Sequence, residues 1–430
     1  MALRLLLLIA VAAGTAAAQA DSNTTMYSMD GVRVIHRRTN TNIVVANLYL
    51  LGGVRQSTTA NAGLESFLLA VTERGTLHYP RDVLRRAMAR TGSEIIVQPH
   101  EDWTLAGVRT TTGELDSTWA IFTDRLMHPT LAAADVEFVR DLLVSGVRQR
   151  ADSPDATLEQ LADSIAFAGH PYERSPVGDE RSLAHITPAQ LKAYHRDQFV
   201  KSRMLLVVVG NVSRPKIEAM VHSSIGRLAQ GTYAWTMPDT LITRGPDVAF
   251  ERRPLPTNYI QGTFAGPLAN SADVPALRVA TAALSGRLFA EIRSRRNLTY
   301  AVSASLRDRG VTSLGLYVTT TAPDTTIALM KTETRAIRDT RIDTELLRPL
   351  IQQFITEYFL DNETITAQAD FLARAQLYQG DFQAGHRFVP DLRAVTGADV
   401  QRVARRYFRN VRWAFVGDPS SVRRERLLSF

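Results

Sequence analysis

The 430-residue sequence contains no cysteine, so disulfide bonds, thiolate metal sites and cysteine nucleophiles are all excluded. It also has no basic run interleaved with aromatic residues, although its formal net charge is +7. The basic residues are mostly scattered arginines, which are typical of solvated helix faces rather than of a nucleic-acid surface. A hydrophobic content of 45% and a charged content of 22% are ordinary for a globular protein of more than one domain.

The N-terminus has the features of a secretory signal. Arg4 supplies a basic start, residues 5–13 are almost wholly apolar, and residues 18–20 read Ala-Gln-Ala. The apolar run is shorter than the ~20 residues that a membrane span needs. We therefore predict cleavage after Ala20, a periplasmic or secreted location, and no stable membrane insertion of the mature chain. Export without disulfides favours a bacterial periplasm.

Two segments half a chain apart share one order of features: a helix capped by threonine, an aromatic residue at the helix end, an apolar strand and a glycine. The first copy runs through Thr187, Phe199 and residues 205–210, and the second through Thr396, Phe408 and residues 413–417. Such a repeat predicts two α+β domains of the same fold, each a mixed sheet with helices on one face. We place them at residues 21–230 and 247–430, joined by a proline-containing linker over residues 231–246.

Residues 63–76 read Gly-Leu-Glu-Ser-Phe-Leu-Leu-Ala-Val-Thr-Glu-Arg-Gly-Thr. Leucine, phenylalanine and valine recur at three- and four-residue steps, which predicts a helix with one buried stripe, closed by Gly75. With the preceding apolar strand that ends in Gly52-Gly53, this stretch resembles the first motif of the pitrilysin/insulinase-type zinc metallopeptidases. The resemblance implies two homologous domains that form a clamshell around a cavity.

In that family the helix carries H-x-x-E-H, in which two histidines hold zinc and the glutamate activates water. The three positions are Ser66, Leu69 and Ala70 here. The family's third zinc ligand, a glutamate on a later helix, corresponds to Ser145 or Gly146. Since none of these side chains supplies an imidazole or a carboxylate, we expect no zinc in this chain and no catalytic residue.

No other metal site is evident. No two of the nine histidines are three to five residues apart. His100-Glu101-Asp102 is the compact cluster of ligand types, and we interpret it as a solvated hairpin turn. Ser66 has no local base or oxyanion hole and is interpreted as a helix residue rather than a nucleophile.

The second half keeps a different motif, Leu-Phe-x-Glu-Ile-Arg-x-x-x-x-Leu-x-Tyr over residues 288–300. It resembles the family's second-domain signature, an arginine and a tyrosine seven residues apart, here Arg293 and Tyr300. The resemblance implies that this pair binds the peptide substrate across the cavity. The glycine that usually follows the basic stretch is replaced by Asn297, which also tolerates a left-handed conformation.

Some bacterial relatives divide the enzyme between two chains, one with H-x-x-E-H and one with the arginine and tyrosine. By this resemblance we predict a non-catalytic, substrate-binding subunit of a periplasmic zinc metallopeptidase that degrades oligopeptides. A homologous partner subunit would hold the zinc, and the peptide would add as a strand to a sheet edge, for which residues 94–98 are a candidate. The alternatives are a stand-alone peptide-binding or assembly protein of the same fold, or an enzyme with unrecognised ligands.

Overall fold

The computed structural model describes residues 23–241 and 245–430, so the predicted signal peptide lies outside the described residues. Within those two ranges no helix combines the length and the apolar character that a membrane span requires. The part of the predicted linker from 231 to 241 contains neither helix nor strand, yet it is packed: the Trp235 indole N–H donates to the Leu377 carbonyl over 2.8 Å.

The first half is built on a six-stranded sheet whose order is β1-β2-β6-β3-β5-β4. Neighbouring strands are antiparallel except for β2 and β6, which are parallel. The strands are β1 (Thr24–Met29), β2 (Val32–Arg38), β3 (Ile43–Leu51), β4 (Glu94–Pro99), β5 (Trp103–Thr111) and β6 (Met204–Gly210).

The second half repeats this topology in a five-stranded sheet of order β7-β11-β8-β10-β9. As in the first sheet, the last strand lies between a parallel and an antiparallel neighbour. The strands are β7 (Asp247–Arg252), β8 (Asn258–Leu268), β9 (Val302–Arg307), β10 (Val311–Thr320) and β11 (Arg412–Gly417). The predicted α+β class with two halves of one fold is confirmed.

Helices cover both sheets, and most of them occupy equivalent places in the two halves. The first half has α1 (Leu64–Val71), α2 (Arg81–Thr91), α3 (Leu115–Met127), α4 (Ala133–Asp152), α5 (Pro154–Ala166), α6 (Glu180–His185), α7 (Pro188–Gln198) and α8 (Arg214–Ser223). The second half has α9 (Val274–Leu288), α10 (Pro323–Asp339), α11 (Thr344–Asp361), α12 (Ile365–Gln379), α13 (Phe388–Arg393), α14 (Gly397–Tyr407) and α15 (Arg424–Leu428).

Helix α1 follows the predicted buried stripe. Leu64, Phe67, Leu68 and Val71 all lie in the core of the first half. Gly63 begins the helix with φ +82°, and a Cβ there would lie 2.7 Å from the backbone of Gly178. Only glycine fits this close approach without a backbone shift, so the entry into α1 is fixed by contact with a distant loop.

Two helices exchange between the halves. Helix α5 places Leu158 and Ala162 against Ala414 and Val416 on the sheet of the second half. Reciprocally, α12 packs on β3 and β6 of the first half. Its contacting apolar residues are Ala369, Leu372, Ala373 and Leu377. The sequence analysis predicted neither helix, although α5 has a Ser153 cap and α12 a Thr364 cap. Each sheet therefore has one face covered by its own half and the other face covered by its neighbour.

Candidate functional site

The positions where the family holds zinc do not fit a metal ion. The Ser66 hydroxyl is buried and donates to the Gly63 carbonyl over 2.9 Å. Leu69 is 1% exposed and belongs to the hydrophobic core. Helix α4, which carries Ser145 and Gly146, still packs against α1. The helix pair is thus retained, but the described side chains at these five positions offer no imidazole or carboxylate as a ligand.

The one carboxylate on α1 is committed to a structural contact. Glu65 Oε2 accepts hydrogen bonds from Arg203 Nη2 over 2.8 Å and from the Tyr194 hydroxyl over 2.9 Å. Burial lowers the pKa of the Arg203 guanidinium, but the Glu65 carboxylate and the Tyr194 hydroxyl together raise it by more, so the net shift is upward. Arg203 Nε also donates to the Leu51 carbonyl over 2.7 Å. This buried ion pair ties α1 to the start of β6.

The interpretation of residues 100–102 as a solvated turn is wrong for Asp102, which is 1% exposed. Its Oδ2 accepts from the hydroxyl of Tyr172 over 2.5 Å, the hydroxyl of Tyr378 over 2.9 Å and the backbone N–H of Gly310 over 3.0 Å. Tyr378 and Gly310 belong to the second half. The carboxylate therefore joins the two halves instead of facing solvent.

A second contact joins the turn between β4 and β5 to the turn between β9 and β10. Arg309, between β9 and β10, pairs with Glu101 and, over 3.2 Å, with Asp163. Burial lowers the pKa of the Arg309 guanidinium, and the Asp163 and Glu101 carboxylates raise it to a net upward shift. In the cluster that we considered as a metal site, Glu101 thus pairs with the second half, and Oδ2 of Asp102 has partners from both halves.

A cleft of about 780 Å³ opens between the first sheet and the N-terminal end of α12. Its walls carry apolar side chains and two ion pairs. One joins Glu94 to Arg109 (3.2 Å), and the other joins Asp370 to Arg374 (2.6 Å). The other lining residues are Thr41, Ile43, Asn47, Ile96, Gln98, His100, Leu105, Thr364, Ile365, Thr366 and Ala367. This size and this mixture of groups suit a small peptide segment.

Asn47 stands out in the cleft wall. The side chain is fully buried, and neither Nδ2 nor Oδ1 has a hydrogen-bond partner of normal geometry. Its oxygen occupies the space above Gly107, where a Cβ would lie 2.3 Å from it. A buried amide without partners costs about 1–3 kcal/mol, and such exceptions in a cleft point to a ligand that supplies the missing partners.

Strand β4 forms the edge of the sheet and of the cleft. Glu94, Ile96 and Gln98 line the cleft, whereas Ile95 and Val97 pack on the core under α1. Because β4 lies at the edge of the sheet, one row of its backbone N–H and C=O groups has no neighbouring strand. The predicted candidate stretch, residues 94–98, is therefore an edge strand, as strand addition requires.

Arg293 and Tyr300 lie next to each other. Helix α9 ends at Leu288 and continues as a π-helical turn, Phe289–Ser294, that carries Arg293. Asn297 then reverses the chain with φ +51°, the left-handed conformation anticipated from its identity. The Arg293 guanidinium carbon lies 5.1 Å from the centre of the Tyr300 ring, and Tyr300 is 84% exposed. Among the described residues Arg293 forms no ion pair.

Comparison with known proteins finds one matching family model. Residues 185–354, which include Arg293 and Tyr300, match the family model described as the peptidase M16 inactive domain. The chain is thus similar to a peptidase M16 inactive domain over less than half of its length. The family resemblance predicted from residues 63–76 and 288–300 is thereby confirmed.

Relatives and solved structures agree with this assignment. An uncharacterized zinc protease of Mycobacterium leprae is 26% identical over 261 residues, so the match spans 59% of this chain and only 59% of that protein. The crystal structure of a peptidase M16 inactive domain from Pseudomonas fluorescens has a TM-score of 0.84 at 16% identity, over 93% of this chain and 100% of its own. The periplasmic protease PqqL from Escherichia coli has a TM-score of 0.76 at 17% identity, over 92% of this chain and 45% of its own.

The sequence analysis missed one cluster of ligand-type side chains, His78, Asp124 and His128. Asp124 and His128 are four residues apart at the end of α3, and His78 lies 46 residues earlier than Asp124. A search restricted to pairs of histidines passes over this arrangement. The Asp-x-x-x-His spacing on one helix was the available signal.

Alkaline pH should destabilise the folded chain. Burial and the Asp102 carboxylate raise the pKa of the Tyr172 and Tyr378 hydroxyls in the folded chain. In the unfolded chain tyrosines lose their protons near pH ~10. The two hydroxyls therefore make their full contribution to the free energy of unfolding below pH ~10. This contribution falls as pH rises further, because the folded state then binds more protons than the unfolded state.

Denaturant unfolding at about pH 8 and about pH 11 measures this loss. The double variant Tyr172→Phe/Tyr378→Phe should lose about 1–3 kcal/mol per hydroxyl at the lower pH and show a smaller further loss at the higher one. Tyr300→Phe is the matched control, since that ring is 84% exposed, and it should behave as wild type. An alkaline loss that is undiminished in the double variant would contradict the assignment.

Proposed function

We propose that this chain is the non-catalytic, substrate-binding subunit of a zinc metallopeptidase that acts on oligopeptides. A homologous partner with H-x-x-E-H contributes the zinc and the general base, and this chain completes the active site. The observation that carries the proposal is a contrast within one molecule. The five positions for the metal ligands and the general base hold unsuitable side chains, whereas Arg293, which is half-buried, and Tyr300, which is exposed, are assembled side by side.

The chemistry of the pair suits substrate binding. Arginine is a permanent cation with several donors, and tyrosine adds a neutral hydroxyl donor. Two such donors aimed at one peptide carbonyl orient it and stabilise the negative charge that develops on its oxygen during hydrolysis. Because Tyr300 is 84% exposed, a partner subunit and its bound peptide have access to the pair.

The cleft supports the peptide part of the proposal. A peptide laid along β4 pairs with the free backbone groups of that edge strand, and its side chains alternate between solvent and the cleft. The unpartnered amide of Asn47 lies in the wall that such a peptide faces. Because the amide is fully buried in the free chain, we propose that a shift of the cleft wall on peptide binding opens it to a backbone N–H or C=O of the peptide, directly or through water.

The proposed location is the periplasm. The secretory signal predicted over residues 1–20, the absence of cysteine from the sequence and the fold shared with a periplasmic protease support it. The partner is then another exported chain of the same fold, and the assembly is a heterodimer or a higher oligomer of the two.

Co-expression with an H-x-x-E-H homologue tests the proposal. Arg293→Ala and Tyr300→Phe in the purified complex should each lower kcat/KM for an oligopeptide by roughly 10²- to 10³-fold, the range for removal of one oxyanion donor. Arg295→Ala is the matched control, because Arg295 lies two residues away, is 75% exposed and pairs with Glu291. It should leave kcat/KM unchanged.

Equal activity of the Arg293 and Tyr300 variants and wild type in an intact complex would refute the shared-site mechanism. If no H-x-x-E-H homologue forms a complex with this chain, the cleft and the β4 edge favour the second candidate, a stand-alone peptide-binding protein of the same fold.

Replacement of Asn47 separates a binding role from a structural one. Asn47→Leu keeps the same branched heavy-atom skeleton and removes the unpartnered buried amide, so the free energy of unfolding should stay unchanged or rise. Peptide affinity should fall by about 1–3 kcal/mol, roughly 5- to 150-fold, because the peptide loses its hydrogen bonds to the amide. Peptide titration and denaturant unfolding measure the two effects.

The control for this pair of measurements is Asn270→Leu, an exposed amide in the turn after β8, which should alter neither quantity. If the Asn47→Leu variant unfolds more easily and binds peptide as tightly as wild type, Asn47 only supports the fold.

A further inference from the structure

His78, Asp124 and His128 converge on one point of the surface of the first half. His78 lies in the loop before α2, Asp124 in the last turn of α3, and His128 directly after α3. The Nδ1 atoms of the two histidines lie 2.7 and 2.8 Å from the same Asp124 Oδ1. One potential ligand atom from each of the three side chains lies within 4.8 Å of the other two.

The carboxylate between the two rings is held in place. Asp124 is 9% exposed in its side chain, and its Oδ2 accepts a 2.5 Å hydrogen bond from the Thr76 hydroxyl. Oδ1 is thereby left to face the histidines.

Backbone contacts hold the two segments together without the side chains. The Leu77 N–H donates to the His128 carbonyl over 2.9 Å, and Thr76 and Pro129 form an isolated β-bridge. The histidine rings meet edge to face, 5.2 Å between centres at 87°. The three ligand groups are therefore positioned by the fold, and their convergence does not depend on flexible side chains finding one another.

We propose that His78, Asp124 and His128 form a binding site for a divalent transition-metal ion, zinc being the best fit. Two imidazoles and one carboxylate are the ligand set of three-ligand zinc sites, whose remaining positions are filled by water or another small ligand. An ionised carboxylate only accepts, so each Nδ1 now directs a proton at Oδ1. The ion takes the place of these two protons, which move to the Nε2 atoms or to solvent.

The site is open to solvent. His78 is 59% and His128 42% exposed in their side chains. Asp124 and His128 also line a groove of about 630 Å³ between α3 and α8. None of the three residues coincides with the degenerate family positions on α1 and α4. The site thus revises the expectation that this chain holds no metal, and it is independent of the proposed role of Arg293 and Tyr300.

Titration of the purified chain with Zn²⁺, against a chromophoric chelator, tests the proposal. Wild type should bind one equivalent tightly, and Co²⁺ in its place should show the visible absorption of a four-coordinate ion. His78→Ala, His128→Ala and Asp124→Asn should each weaken binding by on the order of 100-fold or more. Thr76→Val should weaken it by roughly 10- to 100-fold, because Asp124 Oδ2 then loses the hydrogen bond that holds the carboxylate in place.

His222→Ala is the matched control. His222 Nδ1 lies 2.8 Å from Asp30 Oδ2, so it is a surface histidine–aspartate pair without a second histidine. This variant should bind Zn²⁺ as wild type does. The proposal would be overturned if wild type does not bind Zn²⁺ stoichiometrically. It would also be overturned if His78→Ala binds with the affinity of wild type, since His78 is largely exposed and its replacement leaves the fold intact.

Discussion

The structure depends on one constraint: each sheet has two apolar faces, and each half supplies helices for only part of that surface. The uncovered faces are closed by exchange, with Leu158 and Ala162 of α5 on the second sheet and Leu372 and Ala373 of α12 on the first. Separation of the halves would expose both faces at once. Asp102 sits at the crossing, where partners from both halves satisfy its Oδ2. The cleft and the α9 turn are consequently carried on one common framework.

Within this framework the helix pair of an active site is retained, although the described side chains at its positions cannot perform its chemistry. Helix α1 still enters through Gly63 and still packs on α4, because both features serve the core. The position of the general base now holds Leu69, which adds to the core, and one metal-ligand position holds Ser66, whose hydroxyl donates to the Gly63 carbonyl at the start of the same helix. No comparable packing demand explains a buried Asn47 without partners or an 84% exposed Tyr300 beside Arg293. Under the proposed function these groups bind a ligand.

Apolar periodicity predicted most of the strands and amphipathic helices, and the repeat predicted the doubled topology. It failed for α5 and α12, because their buried faces contain small residues such as Ala162 and Ala373, which give only a weak apolar signal. The burial of Asp102 depends on partners over 70 and more than 200 residues away, which no local pattern encodes. The domain boundaries, and the roles of Arg293 and Tyr300, remain predictions.

Hydrolysis of an oligopeptide by the isolated chain, with Zn²⁺ in excess, tests the central claim most directly. The account predicts no chelator-sensitive hydrolysis by the chain alone, even with an ion bound at His78, Asp124 and His128, and the appearance of such hydrolysis when an H-x-x-E-H partner is added. Chelator-sensitive turnover by the purified chain without a partner would contradict it.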